Sequence, residues 1–444
     1  MDQRLVECGD WRRHDERVRG RAMARSTGKP RRFAWLRRLG PGLITGAADD
    51  DPSGIATYSQ AGAQFGLNML WTMLFTYPLM AAIQSICARI GRVTGEGLAV
   101  NMSHVMPGWL VGAIVFLLFV ANTVNIGADL AAMGAAMQLV LGWGQTLFTI
   151  LFAVGSLLLQ IFVPYHLYVH FLKWLTLSLF AYACVLFTVH IDWVAVASRM
   201  FWPQLAWSQD AFTVIVAVFG TTISPYLFFW QSAEEVEDAS QGEGKGSLLD
   251  NPSDAPEELN RIGLDTYAGM AFSNVISFFI ILTAAVTLHT AGITDITTSA
   301  DAAKALRPIA GEFAFLLFSL GIIGTGMLAL PVLAGSTAYA VGELRGWRAG
   351  LEQKPRNAKA FYGVITLGFT LGLLMLFLPI DPIRMLFWSA VLNGVIAVPL
   401  MVATMIVVSS KKYLGAFSAP FRLKLVGWLA TAVMAVAAIA MFVL

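Results

Sequence analysis

Charge is what this sequence has least of. Of its 444 residues, 13% are Asp, Glu, Lys or Arg, while 57% are hydrophobic. A soluble protein carries about 25% charged residues, so the chain cannot clothe the three water-facing domains that its length alone would suggest. So apolar a composition also excludes a disordered chain. Cysteine is nearly absent. Cys8, Cys87 and Cys184 are far apart, which excludes a disulfide scaffold and a zinc ribbon built on CxxC pairs. Histidine is sparse as well: six residues, five of them near loop ends and one in the N-terminal stretch. None pairs with an intramembrane carboxylate at metal-ligand spacing, and no Ser/His pair suggests acyl transfer. What is abundant is long apolar runs, and they define an integral membrane protein.

A membrane-spanning helix needs about 20 mostly apolar residues. Eleven stretches qualify, at about 41–65, 68–91, 109–141, 146–164, 168–189, 211–233, 263–290, 312–341, 359–379, 384–409 and 424–444. The first begins too far in for a cleaved signal peptide. Residues 1–39 hold twelve of the 30 Lys and Arg. If that tail is inside and the spans alternate, the inner loops hold fourteen more, and the outer loops only Arg199, Lys304, Arg307 and Arg384. This asymmetry predicts an inner N-terminus and an outer C-terminus, in a bacterial inner (plasma) membrane. A basic tail beside a bilayer reads as an orientation signal against anionic lipid rather than a nucleic-acid arm. The acidic segment from Glu234 to Glu258, rich in Gly, Ser and Pro, reads as a solvated, mobile connector.

Four acidic residues lie well inside the spans: Asp49, Asp50, Asp51 and Asp129. Ionisable side chains at that depth cost about 2.5–3.5 kcal/mol on insertion scales and mark function by default. Asp51 falls about 16 Å into the first span at 1.5 Å per residue, close to the midplane. Pro52, Ser53 and Gly54 follow it, a sequence that breaks a helix. Such a break is tolerated only where freed backbone groups face protein or a water-filled cavity. The sixth span carries a counterpart in Gly220-Thr-Thr-Ile-Ser-Pro-Tyr226, with Pro225 near its middle. Interruptions at matching places in two halves point to the site of an inverted-repeat transporter. In the third span, Asn122, Asn125 and Asp129 follow helical spacing and share one face. That face could line an ion or proton path, or simply hold helices together by hydrogen bonds.

The stretch Gly40-Pro-Gly-Leu-Ile-Thr-Gly-Ala-Ala-Asp-Asp-Asp-Pro-Ser-Gly54, followed by Ala61-Gly-Ala-Gln-Phe-Gly66 and Ala88-Arg-Ile-Gly-Arg-Val-Thr-Gly95, resembles the start of the Nramp family of divalent-metal transporters. The order of the later spans extends the resemblance over nearly the whole chain after residue 39. It implies an all-α, eleven-helix, LeuT-type fold with a 5+5 inverted repeat and broken helices 1 and 6. The repeats would be residues 40–190 and 191–409, the latter with an acidic cytoplasmic loop at 234–260, and 410–444 would be an additional helix. It further implies alternating access and proton-driven uptake of manganese or ferrous iron, with no cofactor and no nucleic-acid partner. The cargo and a possible proton are the ligands, and the lipid bilayer is the setting.

The resemblance places Asp51 at the family's metal-binding aspartate and Asp129 at an aspartate of the proton route, with Asp50 nearby. The family's first-span asparagine is Gly54 here. Its sixth-span Met and His are Ser224 and Tyr226, and its ligating carbonyl falls at Thr221. Asn122 and Ala132 stand where many members have glutamates, and Met327-Leu328-Ala329 replaces a polar stretch in the eighth span. Without the thioether, hydroxyl, carboxylate and water ligands favour Mn²⁺ or Mg²⁺ over softer ions. The sequence therefore predicts a secondary transporter of hard divalent cations with Asp51, Thr221 and Ser224 around the metal. Asp129, Asp50, Asn122 and Tyr226 are expected on a proton route or behind the ligands, and Pro52, Gly54 and Pro225 at the breaks. The alternatives are an Nramp-related Mg²⁺ transporter without proton coupling, and a LeuT-type transporter of a non-metal solute. A membrane enzyme is excluded: Asp129 follows Gly-Ala, not the Gly-x-Gly-Asp setting of an intramembrane aspartyl protease.

Overall fold

A computed structural model describes residues 41–163, 175–205, 207–241, 246–351 and 353–444. The basic tail and the first part of the expected fifth span lie outside the described residues. Among those described, every regular element is helical. Twelve helices position the site. They are α1 (Pro41–Asp49), α2 (Pro52–Phe65), α3 (Leu70–Thr94), α4 (Gly108–Leu141), α5 (Gln145–Phe162), α6 (Gln209–Thr222), α7 (Pro225–Gln241), α8 (Ala255–Ala284), α9 (Ala314–Arg345), α10 (Lys359–Leu374), α11 (Pro382–Ser409) and α12 (Phe421–Val443). Nine runs among the described residues are long and apolar enough to cross a membrane. One of them, Pro52–Thr94, joins α2 and α3 through a short 3-10 turn.

Both expected breaks are present. The first span stops at Asp49 and restarts at Pro52. Asp51 takes an extended conformation and caps α2, and proline occupies the first turn, where its missing N–H costs nothing. The sixth span stops at Thr222 and restarts at Pro225, with Ile223 and Ser224 between. These broken helices form the centre of the bundle. The α6–α7 run is 89% buried within its most apolar window, against 22% for α5.

Close backbone approach holds the breaks in place. A methyl at Gly46 would collide with the carbonyl of Gly269, and one at Gly62 with the carbonyl of Ile281. Thus α8 is pressed against both halves of the first span. Gly220 does the same for the second break, against the backbone of Ala390 and Gly394 in α11. Small residues at such crossings are the usual packing device in lipid, where no hydrophobic force draws helices together.

The described parts of the acidic segment, 234–241 and 246–258, depart from the expected mobile connector, and residues 242–245 lie outside the described residues. α7 continues to Gln241, Glu235 is fully buried, and Arg261 of α8 pairs with it at 2.8 Å. Arg92 at the end of α3 pairs with Glu258 at 3.1 Å and donates to the Gly246 carbonyl at 2.9 Å. A run of like charge becomes ordered when guanidinium groups from neighbouring helices neutralise part of it.

Candidate functional site

The site grows from the end of α1. Asp51 is 1% exposed, and its two oxygens are served by four donors. Oδ1 accepts from the Ser53 hydroxyl at 2.6 Å and from the Gly54 amide at 2.8 Å, which makes it the cap of α2. Oδ2 accepts from Asn125 Nδ2 in α4 at 2.9 Å, and the Tyr226 hydroxyl of α7 lies 3.5 Å away. The same hydroxyl is 3.2 Å from the Ala48 carbonyl, so one proton serves two acceptors. Ser53 Oγ and Thr221 Oγ1 stand 3.5 Å apart, joining the two breaks across the centre. Gly54 has little room for a side chain, since a methyl there would meet Thr221 Oγ1 and the Tyr58 ring at 3.2 Å each.

The second break presents less. Ser224 Oγ donates to the Thr221 carbonyl at 2.7 Å, with the Gly220 carbonyl at 3.2 Å. Hydroxyls in helices often turn back on the preceding turn in this way. Here it engages both the Ser224 hydroxyl and the Thr221 carbonyl with each other. Tyr226 is the residue of this break that reaches Asp51.

The polar face of α4 divides into two parts. Asn122 Nδ2 contacts the Leu333 carbonyl at 2.9 Å, Ser336 Oγ at 2.9 Å and Thr337 Oγ1 at 2.7 Å, which ties α4 to α9. Asn125 turns to Asp51 instead, and its own Oδ1 is buried without a partner. One turn further on, Asp129 is fully buried, and neither of its oxygens has a hydrogen-bond partner.

Asp49 and Asp50 face α8. Ser273 Oγ lies 2.7 Å from Asp49 Oδ2 and 3.1 Å from Asp50 Oδ1, and Ser277 Oγ is 3.5 Å from the latter. Asp50 therefore belongs to a group beside α8 rather than to the shell of Asp51. Three residues escaped the sequence reading of the site. Asn125 was visible as a member of the polar face, but its partner is 74 positions away. Ser273 and Ser277 are spaced as one helix face, yet serine in a span reads equally well as a small packing residue. Asp265, in the first half of α8, is a further buried carboxylate, and it accepts from the Gly42 amide at 2.8 Å.

Among the described residues, no Lys, Arg or His forms an ion pair with Asp49, Asp50, Asp51 or Asp129. Nor does any group of three or more His, Cys, Asp and Glu side chains form a metal cage. A cation held here would therefore be bound by one or two carboxylates, uncharged oxygens and water.

Residues 42–444 match the family described as natural resistance-associated macrophage protein-like, Nramp. The chain belongs to the Nramp family. It is 26% identical over 353 residues to the divalent metal cation transporter MntH of Chromohalobacter salexigens, covering 75% of this chain and 74% of that protein. Similarity to the MntH of Yersinia pestis is 27% over 328 residues, 72% and 76% of the two chains. The fold matches a manganese transporter of Eremococcus coleocola with a TM-score of 0.71 at 14% identity, over 93% of this chain and 87% of that one. It also matches Mhp1, a nucleobase-cation-symport-1 family transporter in a closed conformation. That TM-score is 0.55 at 12% identity, over 91% and 92% of the chains. The protein is an integral membrane Nramp-family member with the LeuT-type arrangement of broken helices 1 and 6, as the sequence predicted.

Proposed function

We propose that this Nramp-family chain is a secondary transporter that moves a hard divalent cation, of the Mn²⁺ or Mg²⁺ class, by alternating access. The observation that carries the reading is Asp51: a carboxylate at the break of the first span, buried and without a counter-cation among the described residues, where α1, α2, α4 and α7 meet. The names of the MntH relatives supply the cargo class. The donor set around Asp51 supplies its hardness, since hydroxyl, amide and carboxylate oxygens suit Mg²⁺ and Mn²⁺ better than soft ions. A cation that keeps several of its waters needs only one or two protein carboxylates.

Coupling to protons is part of the proposal. It rests on Asp129, whose unpartnered carboxylate lies one turn beyond the asparagine that touches Asp51. The orientation follows from the basic residues, with the N-terminus inside and the C-terminus outside. The two repeats span 40–190 and 191–409. The test is uptake into proteoliposomes carrying a pH-sensing dye, with Mg²⁺, Mn²⁺, Cd²⁺ and Ca²⁺ in competition. Mn²⁺ or Mg²⁺ entry with acidification is expected. Entry without acidification removes the coupling, and no binding of any of the four ions would favour a non-metal solute.

A further inference from the structure

We infer that the third span supplies a cation ligand: the carboxamide oxygen of Asn125 coordinates the ion beside Asp51, in place of the amide lost at Gly54. This rests on the Asp51 reading above and deepens it.

The polarity of Asn125 is the first observation. Its Nδ2 donates to Asp51 Oδ2 at 2.9 Å, while its Oδ1 is fully buried with no partner. The donor end of this amide is used and its acceptor end is not. A cation on Oδ2 cannot share that position with an N–H group. Turning the carboxamide by about 180° about its terminal bond, a two-fold torsion with broad wells, exchanges nitrogen for oxygen. The unpartnered Oδ1 then faces the ion, and the nitrogen leaves it. The side chain has one position for each state, and neither requires α4 to move.

Distance is the second observation. Two cis oxygens on an octahedral ion with bonds of 2.0–2.1 Å lie about 2.9 Å apart, whereas the longer bonds of Ca²⁺ would separate them by about 3.4 Å. The 2.9 Å between Asn125 Nδ2 and Asp51 Oδ2 is the smaller spacing. That spacing is an ordinary hydrogen-bond length, and the exchange would leave the two oxygens at a separation compatible with cis positions on an Mg²⁺-sized ion.

The third observation is the competition. At the second break, the Ser224 hydroxyl and the Thr221 carbonyl are bonded to each other. At Gly54 there is no side chain to offer an oxygen. On α4, by contrast, Asn125 Oδ1 and both oxygens of Asp129 are buried without hydrogen-bond partners, one helical turn apart. Free acceptors in a buried site are costly unless something binds them. Unpartnered buried oxygens also occur at Asp49, Asp50, Asn122, Gln231 and Ser232, but Asn125 is the residue among them that is hydrogen-bonded to Asp51.

The test is calorimetric titration of Mn²⁺, Mg²⁺ and Cd²⁺ into the purified full-length chain and its Asn125→Leu and Asn125→Ala variants. Loss of a ligand should weaken Mn²⁺ and Mg²⁺ binding by about tenfold or more and Cd²⁺ binding less, since Cd²⁺ depends less on oxygen ligands. If Asn125 served only as a donor to Asp51, removing it would free the carboxylate. Affinity would then be unchanged or tighter, which would overturn the inference. The alanine variant decides the matter if the leucine variant does not fold. Asp51→Ala is titrated in parallel. If it binds Mn²⁺ as the parent does, the Asp51 reading fails, and this inference with it. If it loses binding while both Asn125 variants keep it, the Asn125 assignment alone fails.

Discussion

The two broken helices are alike in geometry and unlike in chemistry. Each stops near mid-span, each restarts on a proline, and each is pinned by a glycine against a neighbouring backbone. At the first break, Asp51 gathers donors from α2, α4 and α7. At the second, Ser224 returns its hydroxyl to its own helix. The two breaks are therefore built alike, whereas the converging hydrogen-bond donors gather at the first. Close packing holds both breaks, while at the second the Ser224 hydroxyl is bonded to the Thr221 carbonyl.

Gly54→Asn would replace the missing amide, but its Cβ would press on Thr221 Oγ1 and the Tyr58 ring. Overpacking of this kind costs about 1–3 kcal/mol. A lower melting temperature in detergent without a gain in Mn²⁺ affinity is expected. A stable variant that binds Mn²⁺ more tightly would show that the first break has room for another ligand. The second break can be given a soft ligand. Ser224→Met frees the Thr221 carbonyl and adds a thioether, and should raise Cd²⁺ affinity relative to Mg²⁺ about tenfold, or about 1.4 kcal/mol, in competition calorimetry. An unchanged ratio would place the second break outside the ion's reach. The smallest effect is expected at Asn122. Its bonds to α9 are structural, and hydrogen bonds between helices in membranes average about 0.6 kcal/mol each. Asn122→Ala should lower stability by about 1 kcal/mol and leave Mn²⁺ affinity unaltered by calorimetry. A loss of affinity would join Asn122 to the site.

Much of this was legible in the sequence, and the illegible part has a common cause. The Asp-Pro-Ser-Gly run announces a break and a buried carboxylate from local rules alone, and Pro225 does the same for the sixth span. The face shared by Asn122, Asn125 and Asp129 follows from helical period. What spacing cannot rank is competition among partners. Asn122 and Asn125 are the same residue type on one face, yet one bonds to α9 and the other to Asp51, as the packing of distant spans decides. Ser224 carries an oxygen suited to a cation, and spacing does not show that its hydroxyl proton is directed to the Thr221 carbonyl. The acidic segment after α7 read as solvated because its neutralising partners, Arg92 and Arg261, come from helices on either side of it.

The most direct test of this asymmetry is one calorimetric titration of Mn²⁺ into Asp51→Ala and Ser224→Ala, run beside the parent protein. Asp51→Ala should lose binding, and Ser224→Ala should bind within about twofold of the parent, because its hydroxyl forms only a local bond of modest net worth. Binding that survives Asp51→Ala, or is lost in Ser224→Ala, would contradict the assignment of the cation to the first break.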